Sequence, residues 1–535
     1  MKLSLNSIKD RHTWESKSIK LPEFDIEAVT ANTKANPTWV HFGAGNIFRG
    51  FIASLQQELL NKGLAETGII AADTFDYEII DRIFRANDNL TLNVTLNANG
   101  TTDSEIIASV VESLKADSSI EEEMARFKEI FKNPGLQMVS YTITEKGYAI
   151  KDMAGNLSGL VLADIENGPE KARHAMSFTC ALLLERYKAG KYPIAVVSMD
   201  NCSHNGEKVQ SAVLEIAKAW VAKGYADEGF VEYLSDESLV SFPWSMIDKI
   251  TPRPDASVEK MLADAGVECM SPIVTSKNTY IAAFVNAERP QYLVVEDKFP
   301  NGRPALEKAG VYLTDRDTVN KTERMKVTTC LNPLHTALAV YGCLLGYTLI
   351  CEEMKDEELK KLVNRLGYVE GLPVVTDPGI VSPKAFIDEV VNERLPNPFM
   401  PDAPQRIATD TSQKVGIRFG ETIKSYAALG RTDELKAIPL AIAGWLRYLL
   451  GVDDCLNEMA VSSDPLLSEL QPKLKGIVVG KPETYCGQIK EILANKNIFG
   501  SNLCELKMDT LIEEMFVSLI AGEGAVRETL KKYLA

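Results

Sequence analysis

Apolar and polar positions change period several times along this chain, and each change marks a predicted element. A short apolar strand over about Thr38 to Phe42 runs through Gly43-Ala44-Gly45 into an amphipathic helix, in the stretch TWVHFGAGNIFRGFIASLQQELLNKG. A second apolar strand spans Thr67 to Ala72 and stops at Asp73. Residues 88 to 115 alternate as hairpin strands do, and 119 to 133 read as a charged surface helix. LQMVSYTITEKGYAI predicts a buried strand entering a polar turn at Thr144-Glu145-Lys146-Gly147-Tyr148. After a helix over 169–190, PIAVVSMDNCSHNG predicts another buried strand, with Asp200 and Asn201 beyond its end. From about 207 to 265 the pattern is helical, broken by the proline-punctuated connection SFPWSMIDKITPRPD, and 279 to 304 return to extended character.

From about 317 onward the periodicity is helical. The stretch TERMKVTTCLNPLHTALAVYGCLLGY sets Glu323, Lys326, Asn332 and His335 just ahead of a long apolar run, Ala337 to Ile350. Asn332 reads as the N-cap of that helix and Pro333 as its first residue. Later, RLPNPFMPDAPQRIATDTSQKVGIRF reads as a proline-rich loop leading into a helix on which Arg406, Asp410, Lys414 and Arg418 share one face. The expected organisation is an extension over 1–36 packed on the first domain, an α/β domain over 37–316, and a mainly α-helical domain over 317–535.

A length of 535 residues exceeds what one hydrophobic core supports, which agrees with two domains. A hydrophobic share of 45% and a charged share of 25% are those of a soluble globular protein. The net charge of -16 argues against nucleic acid or an anionic membrane as partner. Nine scattered cysteines without a CxxC pair read as reduced thiols in the cytoplasm. The opening MKLSLNSIKDRHTW has no apolar leader core, and no eighteen apolar residues follow one another. Five histidines, well separated in sequence, predict no metal cluster. Oligomeric state is left open, and a monomer is compatible with the sequence.

The strand-turn-helix at Gly43 has the form of a dinucleotide-binding turn. Gly43 permits the tight turn, Gly45 lets backbone N–H groups approach a pyrophosphate, and the helix N-terminus adds a favourable dipole. Phe48 stands where a third glycine is usual, and Phe48, Arg49, Glu145 and Lys146 are candidate cofactor contacts. Asp73 is placed to accept hydrogen bonds from the adenosine ribose and to repel a 2'-phosphate, which favours NAD over NADP. Lysine, asparagine and histidine together suit a reaction that moves a proton while a C–O bond changes order. The bland alternatives are a helix cap, a surface lysine, a satisfied histidine and, for Arg406 to Arg418, a solvated helix face.

HFGAGNIFRGF, TITEKGY, VVSMDNCSHNG, MIDKITP, VVEDKFPNGRP, ERMK followed by NPLH, and RLPNP with QRIATDTSQK occur in this order over residues 41 to 418. Together they resemble the polyol-specific long-chain dehydrogenases, the mannitol dehydrogenase family. That resemblance implies a Rossmann-like N-terminal domain, a mainly helical C-terminal domain and a metal-independent, NAD-dependent active site between them. It implies Lys326 as general acid/base, Asn201 and Asn332 as stabilisers of the alkoxide, and His335 as a partner of a substrate hydroxyl. Glu323 resembles the family's proton relay, Arg406 and Lys414 its substrate-binding cations, and Asp73 the acid that favours NAD. The small-molecule substrate implied first is a keto-uronate, fructuronate reduced to mannonate. Mannitol or arabinitol oxidation and tagaturonate reduction are same-class alternatives, and a nucleotide-binding regulator that lost turnover is the alternative from another class.

Two departures from the family pattern stand out. Phenylalanines occupy positions 48 and 51, where histidines are usual, and Asn332 follows Lys326 by six residues instead of five. On a continuous α-helix one extra residue turns everything beyond it by about 100°. The expectation is that Pro333 starts a new helix and that Val327 to Leu331 absorbs the insertion.

Overall fold

The computed structural model describes residues 1–152 and 154–535. The chain folds as two compact units, Met1–Leu96 with Thr101–Val319, and Asn97–Gly100 with Asn320–Ala535.

The first unit is built on six parallel strands: β1 (Trp39–Phe42), β2 (Ile69–Asp73), β3 (Val110–Lys115), β4 (Met138–Tyr141), β5 (Ile194–Ser198) and β6 (Val240–Ser241). Their order is β3-β2-β1-β4-β5-β6, that of doubly wound dinucleotide-binding sheets. A sheet covered on both faces needs apolar residues at every position, and β1, β2, β4 and β5 are buried throughout. Successive side chains alternate between two cores: Trp39, Ile69 and Ala71 enter one, and Val40, Phe42, Ile70 and Ala72 the other. Helices α1 (Ala53–Asn61), α2 (Glu121–Lys132), α3 (Ala175–Gly190) and α4 (Asn205–Ala222) cover the faces. Although α2 looks charged in sequence, it buries Met124, Phe127, Ile130 and Phe131 along one stripe.

Two readings of this unit need correction. Residues 88 to 115 are not one hairpin system: Thr91–Leu96 and Thr102–Ile107 pair antiparallel, whereas Val110–Lys115 leaves them to run parallel with β2. The connection around residues 241–255 contains strand, because β6 and Ser245–Asp248 are too short to show a period.

The second unit is helical. Its α5 (Arg316–Met325, entering the unit at Asn320) passes through a π-helical turn, Lys326–Cys330, into α6 (Asn332–Leu344). Further helices include α7 (Ala437–Tyr448), buried along its whole length, and α8 (Asp509–Leu519). Tyr341 on α6 donates its hydroxyl to the Leu440 carbonyl on α7 at 2.8 Å. A Cβ at Gly444 would lie 2.6 Å from the Tyr341 ring, so only glycine permits the two helices to pack this closely. The apolar run to Ile350 is not all helix, since α6 stops at Leu344 and the chain turns at Gly346 with φ of +79°. Among the described residues no helix is long and apolar enough to cross a membrane.

Candidate active site

In the first unit the strand order reverses between β1 and β4, and ligands of such sheets bind beyond the carboxyl ends of the strands at that point. Gly43 lies there with φ of +103°, and a Cβ on it would sit 2.1 Å from the Thr142 carbonyl oxygen. Gly45 has no atom within 4 Å of its Cβ position, which leaves open space beside the backbone. Asp73 closes β2 next to this turn. Its Oδ2 accepts from the Ala44 N–H at 3.1 Å, and its Oδ1 from the N–H groups of Phe75 at 2.8 Å and Asp76 at 2.7 Å. Burial holds its pKa above the ordinary carboxylate value against the pull of these three donors.

A second carboxylate braces the far wall. Asp200 Oδ2 accepts from the Ile143 N–H at 2.7 Å and from the Tyr148 hydroxyl at 2.6 Å, and that hydroxyl accepts from Ser198 Oγ at 2.9 Å. The ends of β4 and β5 are thereby tied together. Asn201 follows Asp200 on the surface, and Glu145 and Lys146 are exposed on the short helix Thr144–Tyr148. Glu145 pairs with Lys208.

Phe48 and Arg49, two of the candidate cofactor contacts, are both fully buried. They begin a π turn, Phe48–Ile52, between the glycine turn and α1. Phe48 stacks on His41 with ring centroids 4.2 Å apart, and His41 lies between the hydroxyls of Ser140 and Thr142. Burial drives the His41 pKa down to about 3, so this histidine is neutral. Arg49 donates to the Ala282 carbonyl at 2.8 Å and to Asn46 Oδ1 at 2.9 Å, and burial lowers its pKa to about 9. Sequence reasoning missed Gly50: a Cβ there would lie 2.5 Å from Val285, so the close packing usually ascribed to a third glycine occurs two residues later, inside the π turn.

In the second unit Lys326 is 3% exposed and opens the other π turn. The Leu331 N–H reaches back five residues to the Lys326 carbonyl at 3.1 Å, and His335 N–H then resumes α-helical bonding to Leu331 O at 3.1 Å. Asn332 is therefore not an N-cap. It is the first residue of α6, with Pro333 second and no capping side chain. Its half-buried amide makes no hydrogen bond among the described residues. Leu331, at φ −128° and ψ −63°, separates this wide turn from α6. On an unbroken α-helix His335, nine positions after Lys326, would point about 180° away; the π turn and the break at Leu331 remove that constraint. Glu323, one turn earlier and half-buried, falls about 60° from Lys326.

The helix expected to carry Arg406, Asp410, Lys414 and Arg418 does not exist as one element. Pro404–Ile407 and Val415–Arg418 are short helices separated by Asp410 at φ of +54°. Distant residues hold the break: Asp410 N–H donates to the Ser463 carbonyl at 2.9 Å and Ser412 N–H to Asp464 at 2.7 Å. Arg406 consequently pairs with Asp402 instead of Asp410. The chain nonetheless gathers the cations near His335. Its Nε2 lies 3.6 Å from Asp402 Oδ2. Burial first, then Arg418, Arg394 and Arg406, push its pKa down to about 4, although Asp402 opposes them, so His335 is neutral. Lys414 donates to the Thr409 carbonyl, and burial and the Arg418 charge lower its pKa. Asp402 went unnoticed in the sequence; its place four residues before Arg406 was the available signal.

The family model for the mannitol dehydrogenase Rossmann domain matches residues 37–308, and that for the mannitol dehydrogenase C-terminal domain matches 318–519. The chain belongs to the mannitol dehydrogenase family. The D-mannonate oxidoreductase of Thermotoga maritima is 53% identical over 536 residues, covering 99% of both chains. The polyol:NADP oxidoreductase of Gluconobacter oxydans is 30% identical over 465 residues, 85% of this chain and 88% of that one. Among solved structures, a substrate-free D-sorbitol dehydrogenase matches with a TM-score of 0.76 and 25% identity, over 96% of this chain and 97% of that one. The Pseudomonas fluorescens mannitol 2-dehydrogenase, in a ternary complex with NAD and D-mannitol, matches with a TM-score of 0.70 and 26% identity, over 100% and 99%. The Rossmann-type first domain and helix-rich second domain expected from sequence are those of the mannitol dehydrogenase family.

Proposed function

We propose that this protein interconverts D-fructuronate and D-mannonate with NAD as cofactor, using Lys326 and no metal to exchange the proton. The observation that carries the choice of substrate is 53% identity, over 99% of both chains, to a D-mannonate oxidoreductase. The cations around neutral His335 support it, since a sugar acid brings a carboxylate that a polyol lacks.

The residues present fit NAD. Gly43 keeps the turn tight, open space beside Gly45 admits a pyrophosphate, and the Asp73 carboxylate disfavours a 2'-phosphate. Bound NAD supplies the hydride acceptor for oxidation, and its reduced form the donor for reduction. Lys326 takes the proton of the substrate hydroxyl in oxidation and returns it to the ketone oxygen in reduction. Glu323 passes that proton to water. Asn201 and Asn332 donate to the oxygen as charge develops on it, and His335 bonds a neighbouring hydroxyl. Arg406 and Lys414 hold the remainder of the substrate, while Glu145 and Lys146 flank the cofactor. Nine free thiols support residence in the cytoplasm.

Oxidation of a neutral polyol is the second reading, supported by the likeness to D-sorbitol and mannitol dehydrogenases. Following NADH absorbance with fructuronate, tagaturonate and fructose, and NAD reduction with mannonate and mannitol, separates the two. The highest kcat/KM is expected for the fructuronate and mannonate pair. Equal or faster turnover of fructose or mannitol would displace it, and inertness to all five would leave a nucleotide-binding protein without turnover.

A further inference from the structure

Arg418 is a half-buried cation to which the roles above give no work. It ends the short helix Val415–Arg418, and its Nη1 donates to Thr336 Oγ1, on α6 directly after His335. Thr336 turns its own hydroxyl proton to the Asn332 carbonyl at 2.9 Å, which leaves a lone pair for the arginine. No carboxylate among the described residues pairs with Arg418, and burial alone accounts for its pKa of about 10.

Two fully buried arginines are treated differently. Arg186 spends its donors on the carbonyls of Tyr192, Phe131, Asn133, Leu136 and Pro193, and Arg447 on those of Leu519, Val452 and Asp453. A guanidinium has five N–H donors, and Arg418 places one of them on a single hydroxyl. Its Nε–Nη2 edge, two parallel N–H groups, remains whole. That edge has the spacing of a carboxylate. Of the neighbouring cations, Arg406 pairs with Asp402 and Lys414 donates to the Thr409 carbonyl.

We infer that Arg418 binds the carboxylate of the substrate and thereby sets the preference for a sugar acid over a neutral polyol. This rests on the reading above of a sugar-acid substrate at the His335 end of α6. His335, being neutral, adds no competing charge and can bond a hydroxyl of the same molecule.

The test compares D-mannonate with D-mannitol, identical along the chain except for the terminal carboxylate, as ligands and substrates of the full-length enzyme with its nucleotide. Arg418→Gln is expected to weaken mannonate, in Kd and KM, by about 100-fold while kcat stays within a few-fold and mannitol binding is unchanged. Arg418→Lys, which keeps the charge but not the paired edge, is expected to recover about tenfold of that loss, and it carries the test if the glutamine variant fails to fold. Equal weakening of both ligands would show that Arg418 only braces Thr336, and would overturn the inference, as would a wild-type enzyme that binds acid and polyol alike. Turnover of mannonate is scored separately. Turnover with an unchanged acid-to-polyol ratio in the variants overturns the inference and keeps the proposed function. Arg418-dependent binding of mannonate without turnover does the reverse.

Discussion

Asp73, buried in the first unit, and Arg418, half-buried in the second, are charges that the chain handles in opposite ways. Three backbone N–H groups surround the Asp73 carboxylate, so its hydrogen bonding is largely complete before any ligand arrives. Arg418 has one hydroxyl and lies among other cations around a neutral histidine. A site finished in advance holds its shape for a ligand common to many enzymes. A site left electrically open is completed by its ligand, and so selects among ligands. On the function proposed above, the nucleotide side is of the first kind and the sugar side of the second.

The comparison is broken most severely at Lys326. Lys326→Ala is expected to lower kcat by about a thousandfold while the nucleotide side, measured by NADH fluorescence titration, is unaffected. Unchanged turnover would move the proton chemistry elsewhere. Next in size is the helical phase of the sugar side. One alanine inserted after Val327 turns His335 by about 100°, and kcat/KM for mannonate should fall by about a hundredfold. Removing Val327 lets the π turn close to an α turn and should cost far less, with circular dichroism unchanged.

On the nucleotide side, Gly43→Ala and Gly45→Ala separate shape from access. The first forces a side chain into a backbone of φ +103° against the Thr142 carbonyl, and should lower the unfolding free energy in urea by more than about 2 kcal/mol. The second meets no atom and should leave stability within about 0.5 kcal/mol while weakening NADH binding. Equal stability losses would mean that the space beside Gly45 is not a ligand space.

The smallest effect is a pH slope shared by both sides. His41, at about 3, and His335, at about 4, fold as neutral imidazoles, whereas the unfolded chain titrates near 6.5. Below about pH 6.5 the unfolded state binds more protons, so stability is complete above that value and is lost as pH falls toward about 4. His41→Asn should flatten the dependence of the urea midpoint on pH over that window. An unchanged slope would mean that the ring is charged in the folded state.

Much of the first unit could be read from residues alone, because apolar strands ending at Gly43, Asp73 and Asp200 announce a sheet and its carboxyl edge. The cation cluster could be read only in part. Spacing brought Arg406, Lys414 and Arg418 together on paper as a helix face, whereas the chain gathers them by breaking at Asp410, through bonds to Ser463 and Asp464 about fifty residues later, which no local pattern carries. The burial of Phe48 and Arg49 was not legible, because the motif position says which residues stand near the turn but not whether their side chains face outward or into the core. The insertion before Asn332 was visible as a count, and Pro333 suggested a fresh helix start. The new helix does begin at Asn332 and Pro333, after the non-helical Leu331 (φ −128°, ψ −63°), but the π turn Lys326–Cys330 that precedes it is a solution that composition does not signal.

That wide turn has a consequence for how such chains can diverge. A junction that widens one turn before a fresh helix start can take up a residue in a tightly packed stretch and leave the helix beyond it intact. Any search that demands a fixed interval between the lysine and the asparagine would pass over this chain, though the two residues still open consecutive helical elements.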